Sequence, residues 1–156
     1  MPKIIYKKLN PADLQQLVHI ERIIIDNMKN KDWITGRTEQ EYAQLIDLGN
    51  ILGAFDDNKL VGFGRIQQDE DNESIYKING GFVLPEYRNN GIQTELVKLR
   101  IGLARDRGAK KATTQCHPDN LASRRAIEKS GFIFTGIKPL PNGSPRAKFE
   151  IDLLNE

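Results

Sequence analysis

The chain has a single cysteine, Cys116, and so cannot close an internal disulfide. One free thiol suits a reducing compartment, and a cytosolic location is expected. Histidine is nearly as scarce: there are two, with no partners at metal-ligand spacing, so a structural zinc site is not expected. Apolar runs are only a few residues long, too short to cross a membrane, and the opening "MPKIIYKKLN" lacks the apolar centre of a secretory signal. Neither sign of charge dominates. The 23 Lys and Arg against 21 Asp and Glu leave a net +2, and no basic run is long enough to serve as a nucleic-acid-binding arm. What the chain does have is 156 residues, 38% hydrophobic and 28% charged, enough to bury one core, and one domain is expected over 1–156.

The elements follow from periodicity and punctuation. "KIIYKKL" (3–9) predicts a first strand. Asn10, Pro11 and Asp13 then suit an N-cap, a first helical position and an electropositive first turn, and Leu14, Leu17, Val18, Ile20 and Ile24 supply a helical stripe. "TEQE" (38–41) has capping-box spacing and predicts a second helix burying Tyr42, Leu45 and Ile46. "ILGAF" and "LVGFGRI" flank the turn-rich "DDNK" and predict a hairpin. "IYKINGGFVL" (75–84) predicts a longer strand with a bulge or close approach at Gly80-Gly81. Beyond it come a strand at 110–117, a short helix capped by Asp119 or Asn120 and stopped by Gly131, and strands at 132–138 and 147–154. The order β-αα-βββ-α-β-α-ββ is that of a mixed α/β domain.

The stretch "VLPEYRNNGIQTELVKLRIGLARDRG" (83–108) carries most of the chemical information. Ile92, Leu96, Leu99 and Leu103 recur at helical spacing and predict one buried face, with Gly108 in place to end the helix. The first free backbone N–H groups then lie around Gly91–Glu95, where the helix macrodipole favours an anion. Gly91 allows close approach, Arg88 brings a forked cation suited to phosphate, and Thr94 adds a hydroxyl. No Gly-Lys-Ser/Thr follows, and the G-x-G pair is missing, so neither a Walker loop nor a dinucleotide fingerprint is present.

Together with a second block, Asn120 followed by Glu128-Lys129-Ser130-Gly131-Phe132, this stretch resembles the cofactor signature of the GNAT acetyltransferases. That signature is a strand ending in Val-x-Pro, then Arg/Gln-x-x-Gly-x-Gly/Ala opening a helix. Here it reads Val83-Leu84-Pro85 and then Arg88-Asn89-Asn90-Gly91-Ile92-Gln93. The resemblance implies a central mixed, mostly antiparallel sheet flanked by helices. It also implies acetyl-CoA as co-substrate, with transfer of the acetyl group to an amine by direct attack. The backbone of Phe82, Val83 and Leu84 would pair with the pantetheine arm. N–H groups from Arg88 through Asn89, Asn90, Gly91, Ile92, Gln93 and Thr94 would hold the pyrophosphate. Asn120 would bond the pantetheine near the mouth of the site. Family members splay the signature strand from its neighbour to admit the thioester, and Gly80-Gly81 lies where that splay is needed. Many also form homodimers.

Two positions depart from the pattern. Gln93 replaces the usual Gly or Ala, either crowding the phosphates or turning outward. Ile127 stands where many members place a tyrosine that protonates the departing thiolate. A CoA thiol near pKa ~8.5 leaves tolerably without help, and a general acid adds about 10²–10⁴-fold. His117, Glu73 and Asn79 are the candidates for taking or relaying the amine's proton, none of them decisive, so no catalytic residue is assigned. Cys116 and His117 are adjacent in a strand and point to opposite faces, which rules out a thiol dyad. The resemblance puts the acceptor among Trp33, Arg37, Tyr42 and "PLPNGSPR"; acidic "DEDNE" (69–73) reads first as a solvated loop, with attraction of a cationic acceptor such as a polyamine as the alternative. Arg124, Arg125 and Lys129 are candidates for the cofactor's ribose phosphate. The competing class is a non-catalytic acyl-CoA-binding or sensory module, motivated by Ile127 and the missing base.

Overall fold

The computed structural model describes residues 3–28, 30, 33 and 36–154. Within the connector around Trp33, the positions Lys31, Asp32, Ile34 and Thr35 lie outside the described residues. The elements in chain order are β1 (Ile4–Lys8), α1 (Leu14–Asp26), α2 (Glu39–Asp47), β2 (Ile51–Asp56), β3 (Lys59–Arg65), β4 (Gln67–Gln68), β5 (Ile75–Lys77), β6 (Gly81–Val83), α3 (Ile92–Asp106), β7 (Lys111–Cys116), α4 (Leu121–Lys129), β8 (Ile133–Pro139) and β9 (Pro145–Asp152). The start of the first helix differs from the sequence expectation. Asn10 closes a capping box with Asp13 around a single 3₁₀ turn, Pro11–Asp13, and α1 begins only at Leu14. At α2 the box falls where the spacing put it, Thr38 and Glu41 each bonding the other's backbone N–H.

The single long strand expected over 75–84 is two strands in two sheets. β6 joins an antiparallel sheet in the order β1-β2-β3-β6, whereas β5 joins the sheet β4-β5-β7-β9-β8, where it runs parallel to β7. Between them, at Asn79-Gly80, Gly80 takes φ +71°, a left-handed conformation that glycine adopts at no steric cost. A sheet that would otherwise be continuous is therefore opened along one line.

Helix α3 fastens the two halves. Ile92 and Leu96 enter the apolar cluster that α1, α2, β2, β3 and β6 build, while Val97, Ile101 and Ala104 enter the one formed by β7, α4 and β9. The buried face is thus not the one that leucine spacing alone suggested. Leu99 is exposed, Leu103 is half-buried, and Arg100 is buried in the stripe instead. Two apolar clusters meet this helix at different angles, so a count of one regular stripe misses the second. Gly108, φ +84°, ends the helix as expected.

Candidate active site

A cleft of about 790 Å³ lies along the line where the sheet opens. Its roof is the turn before α3. Pro85–Tyr87 form a 3₁₀ turn, and Asn89 and Gly91 both take left-handed φ, at +66° and +76°. Asn90 braces this turn from behind, its Nδ2 donating to the carbonyls of Tyr87 at 3.1 Å and Arg88 at 3.4 Å. The Tyr87 hydroxyl donates to Asp56 at 2.5 Å, which fixes the turn to the end of β2 and raises the phenol's pKa. Gly91 is the N-cap of α3, and no side chain caps the helix. The N–H groups of Ile92, Gln93 and Thr94 therefore stay open toward the cleft, at the positive end of the helix dipole. A Cβ on Gly91 would meet nothing within 4 Å, so it is the backbone conformation that calls for glycine there.

The floor is the free edge of β6. Leu84 is buried and its N–H donates to Val61 at 2.9 Å, toward β3. By strand alternation the amide of Phe82 has the same orientation, which leaves the backbone of Val83 and Gly81 facing the opening. Arg88 crosses this edge, its Nε donating to the Val83 carbonyl at 3.3 Å. Gln93 turns inward: a Cβ on Gly81 would lie 3.4 Å from its Nε2, so the amide rests against the strand and lines the cleft. The far wall is the end of β7 and the start of α4. The last contacts before the strands part are the Ile78 N–H to Thr113 at 2.7 Å and the Thr114 hydroxyl to the Ile78 carbonyl. Asn120 caps α4, its Oδ1 accepting from Ser123 at 3.3 Å, so its Nδ2 is the group left to face a ligand.

Of the residues singled out from sequence for the cofactor, Phe82, Val83, Arg88, Asn89, Gly91, Ile92, Gln93, Thr94 and Asn120 line one cleft, while Leu84 and Asn90 lie behind its wall. Arg125 and Lys129 also line it, whereas Arg124 pairs with Glu128 and covers the rings of Phe134 and Phe149. Of the residues expected around the acceptor, Trp33, Arg37, Leu140 and Arg146 line the cleft, but Tyr42 does not: its ring is buried in the first cluster and its hydroxyl bonds Glu21.

The proton-handling candidates mostly fall away. His117 is buried behind Trp33, their rings stacked at 5.9 Å, and its Nδ1 accepts from the Asp119 N–H at 3.1 Å. Glu73 sits on an exposed loop away from the cleft. Among the described residues that line the cleft there is no Asp, Glu or His, but there are six cations: Arg37, Arg65, Arg88, Arg125, Lys129 and Arg146. Ile127 is buried in the second cluster, packed as core. Cys116 lines the cleft with its thiol pKa raised, chiefly by burial, so it stays neutral. Sequence reasoning missed Arg65 and Arg100. Each sits in an apolar pattern, where nothing local distinguishes a buried arginine from a solvated one.

A sheet opened beside an uncapped helix N-terminus, with an arginine over the open edge and a cation-lined cleft, makes a mixed-sheet fold whose splay is suited to an anionic ligand. The profile of the Acetyltransferase (GNAT) family matches residues 19–132, and the chain belongs to that family. No curated protein matches it by sequence. Solved structures share the fold. A GNAT-family acetyltransferase from Bacillus cereus is 21% identical with a TM-score of 0.77, over 98% of this chain and 99% of that one. A proposed acetyltransferase from Salmonella typhimurium, solved with its cofactor acetyl-CoA, is 15% identical with a TM-score of 0.81, over 98% and 95%. The ribosomal-protein-S18-alanine N-acetyltransferase from Escherichia coli is 17% identical with a TM-score of 0.74, over 97% and 94%.

Proposed function

We propose that this chain, acting as a single domain in the cytosol, is an acetyl-CoA-dependent N-acetyltransferase that moves an acetyl group to an amine by direct attack. The observation that carries the reading is the uncapped start of α3, opening onto the cleft beside Arg88 and the free edge of β6. Those groups suit a pyrophosphate and an extended amide-bearing arm. Arg125 and Lys129 suit a further phosphate, and the Asn120 Nδ2 suits a carbonyl of the arm. The amine nitrogen would bond to the thioester carbon, the carbon–sulfur bond would break, and the CoA thiolate would leave. The nitrogen's surplus proton would pass to solvent, since the described residues lining the cleft include no carboxylate or imidazole to take it.

The same absence, with Ile127 held in the core, favours a second reading: a non-catalytic acyl-CoA-binding module. Release of CoA thiol measured with DTNB over a broad set of amines separates the two. Acceptor-dependent release supports the transferase, and tight CoA binding without release supports the module. Gly91→Glu tests the phosphate turn that both readings share. It sets an anion where the pyrophosphate would lie and costs about 1–2 kcal/mol for the left-handed backbone. We expect a folded protein whose thermal stabilisation by CoA is lost, and unchanged CoA affinity would refute the assignment. A homodimer, which the resemblance allows, would find apolar surface on the outer strand β8, where Ile133, Phe134 and Ile137 are exposed.

A further inference from the structure

The acceptor end of the cleft holds a buried cation without a counter-charge bonded to it. Arg65, the last residue of β3, is 6% exposed, and its Nε and Nη1 are buried with no hydrogen-bond partner. Glu21 and Glu41 attract it through space, and burial is what most depresses its pKa. Leaving a desolvated guanidinium unpaired is costly, so these two buried donors call for a partner. The surroundings are shaped for it. A Cβ on Gly80 would come within 2.3 Å of its Nη2, so the guanidinium lies against the turn at which β5 gives way to β6. Arg100 binds the carbonyls of Arg65 at 2.9 Å and Asn79 at 3.2 Å, holding these two backbones together where the sheet opens. Asn79 contributes a second unmet group to the cleft, its buried Oδ1, which is an acceptor only.

We propose that Arg65 receives a carboxylate on the amine acceptor while the Asn79 Oδ1 accepts a hydrogen bond from the amine, so that the substrate class is amino-acid-like. This deepens the transferase reading and rests on it. Arg37 is near enough to lower the Arg65 pKa and also lines the cleft, its own charge shared with Glu41 at 3.8 Å. A polyamine would meet cations and no carboxylate among the described residues that line the cleft. The acidic stretch 69–73 does not line the cleft, and Glu70 lies on the surface 3.6 Å from Lys77, as a solvated loop would.

The test uses the full chain, acetyl-CoA and matched amines that differ only in the carboxylate: phenylalanine with phenethylamine, and lysine with cadaverine. The carboxylated member of each pair should be preferred about 10- to 100-fold in kcat/KM, the range for hydrogen bonds to a charged group. Arg65→Gln should bring that ratio to near one while CoA still raises the melting temperature. Equal or better use of the decarboxylated amines, or a ratio that Arg65→Gln leaves unchanged, overturns the proposal. Should no amine be acetylated, the transferase reading fails, and calorimetric titration of the CoA-loaded protein with the same pairs decides the site separately. Arg65-dependent binding of the carboxylated members alone upholds it, and binding without discrimination overturns it. A preference for succinyl-CoA over acetyl-CoA that depends on Arg65, in place of discrimination among acceptors, puts the carboxylate on the acyl group and overturns the acceptor assignment. If the glutamine variant does not fold, Arg65→Lys retains the charge without the fork, and its carboxylate preference should still fall.

Discussion

Arg65 and Arg100 are both buried and lie 35 positions apart, yet substitution should move stability in opposite directions. Arg100 spends its donors on the fold: Nε on the Leu96 carbonyl, and Nη1 on those of Arg65 and Asn79. Burial pushes its guanidinium down to about 9, which still leaves it charged at neutral pH. Gly64 makes room for it, since a Cβ there would lie 2.5 Å from the guanidinium carbon. Arg100→Met would leave two carbonyls unmet and should cost about 2–4 kcal/mol in urea unfolding. Arg65 spends nothing comparable, so Arg65→Met should leave the ligand-free protein as stable or more stable, by up to about 2 kcal/mol. If both variants lose stability equally, Arg65 is a structural residue and its unmet donors mean nothing for ligands. Neither role was legible in sequence. Arg100 occupies a position on the buried helix face that a hydrophobic pattern fills with leucine, and Arg65 ends a strand as many solvated arginines do.

At the scale of the element, the helix starts show what local chemistry specifies. Thr38 and Glu41 form a box that spacing alone predicts, because both bonds close within four residues. The Glu41 carboxylate lies on the surface and its pKa is lowered, first by the Thr38 backbone N–H and then by the Thr38 hydroxyl. A lowered folded pKa contributes stability that is present above the ordinary value of 4.5 and is lost as pH falls through the folded value. The difference in melting temperature between wild type and Glu41→Gln should therefore be largest near neutral pH and shrink below about pH 4.5. A difference that stays constant with pH would show that the charge plays no part in the cap. Thr38→Ala removes the other half and should cost about 0.5–2 kcal/mol. The start of α3 is the contrasting case. Its glycine N-cap has no side chain to satisfy the first turn, and the motif at 88–94 announced that opening. The same motif could not specify where Gln93 would turn, because that depends on Gly81, twelve positions earlier in sequence and reached only by tertiary packing.

For the molecule as a whole, the cleft exists because one stretch of chain changes sheets. β6 answers to β3 and β5 answers to β7, and the residues between them take up the divergence. The paired glycines signalled a bulge in sequence. What they could not convey was that the strands on either side belong to different sheets, since partner choice is set by contacts with β3 and β7 that no local pattern encodes. Gly80 is the position where this geometry is most exposed to test. Its φ of +71° costs a side-chain-bearing residue about 1–2 kcal/mol, and a new Cβ would also displace the Arg65 guanidinium, 2.3 Å away. Gly80→Ala should therefore do two separable things. Stability in urea should fall by at least the backbone cost, and preference for a carboxylated acceptor should weaken with the displaced guanidinium. CoA-induced thermal stabilisation should persist, because the turn at 88–94, proposed to hold the pyrophosphate, is held independently by the Asp56–Tyr87 bond and the Asn90 brace. Loss of CoA response together with loss of acceptor preference would mean that the two ends of the cleft are a single cooperative unit, and that the splay cannot be altered at one end alone.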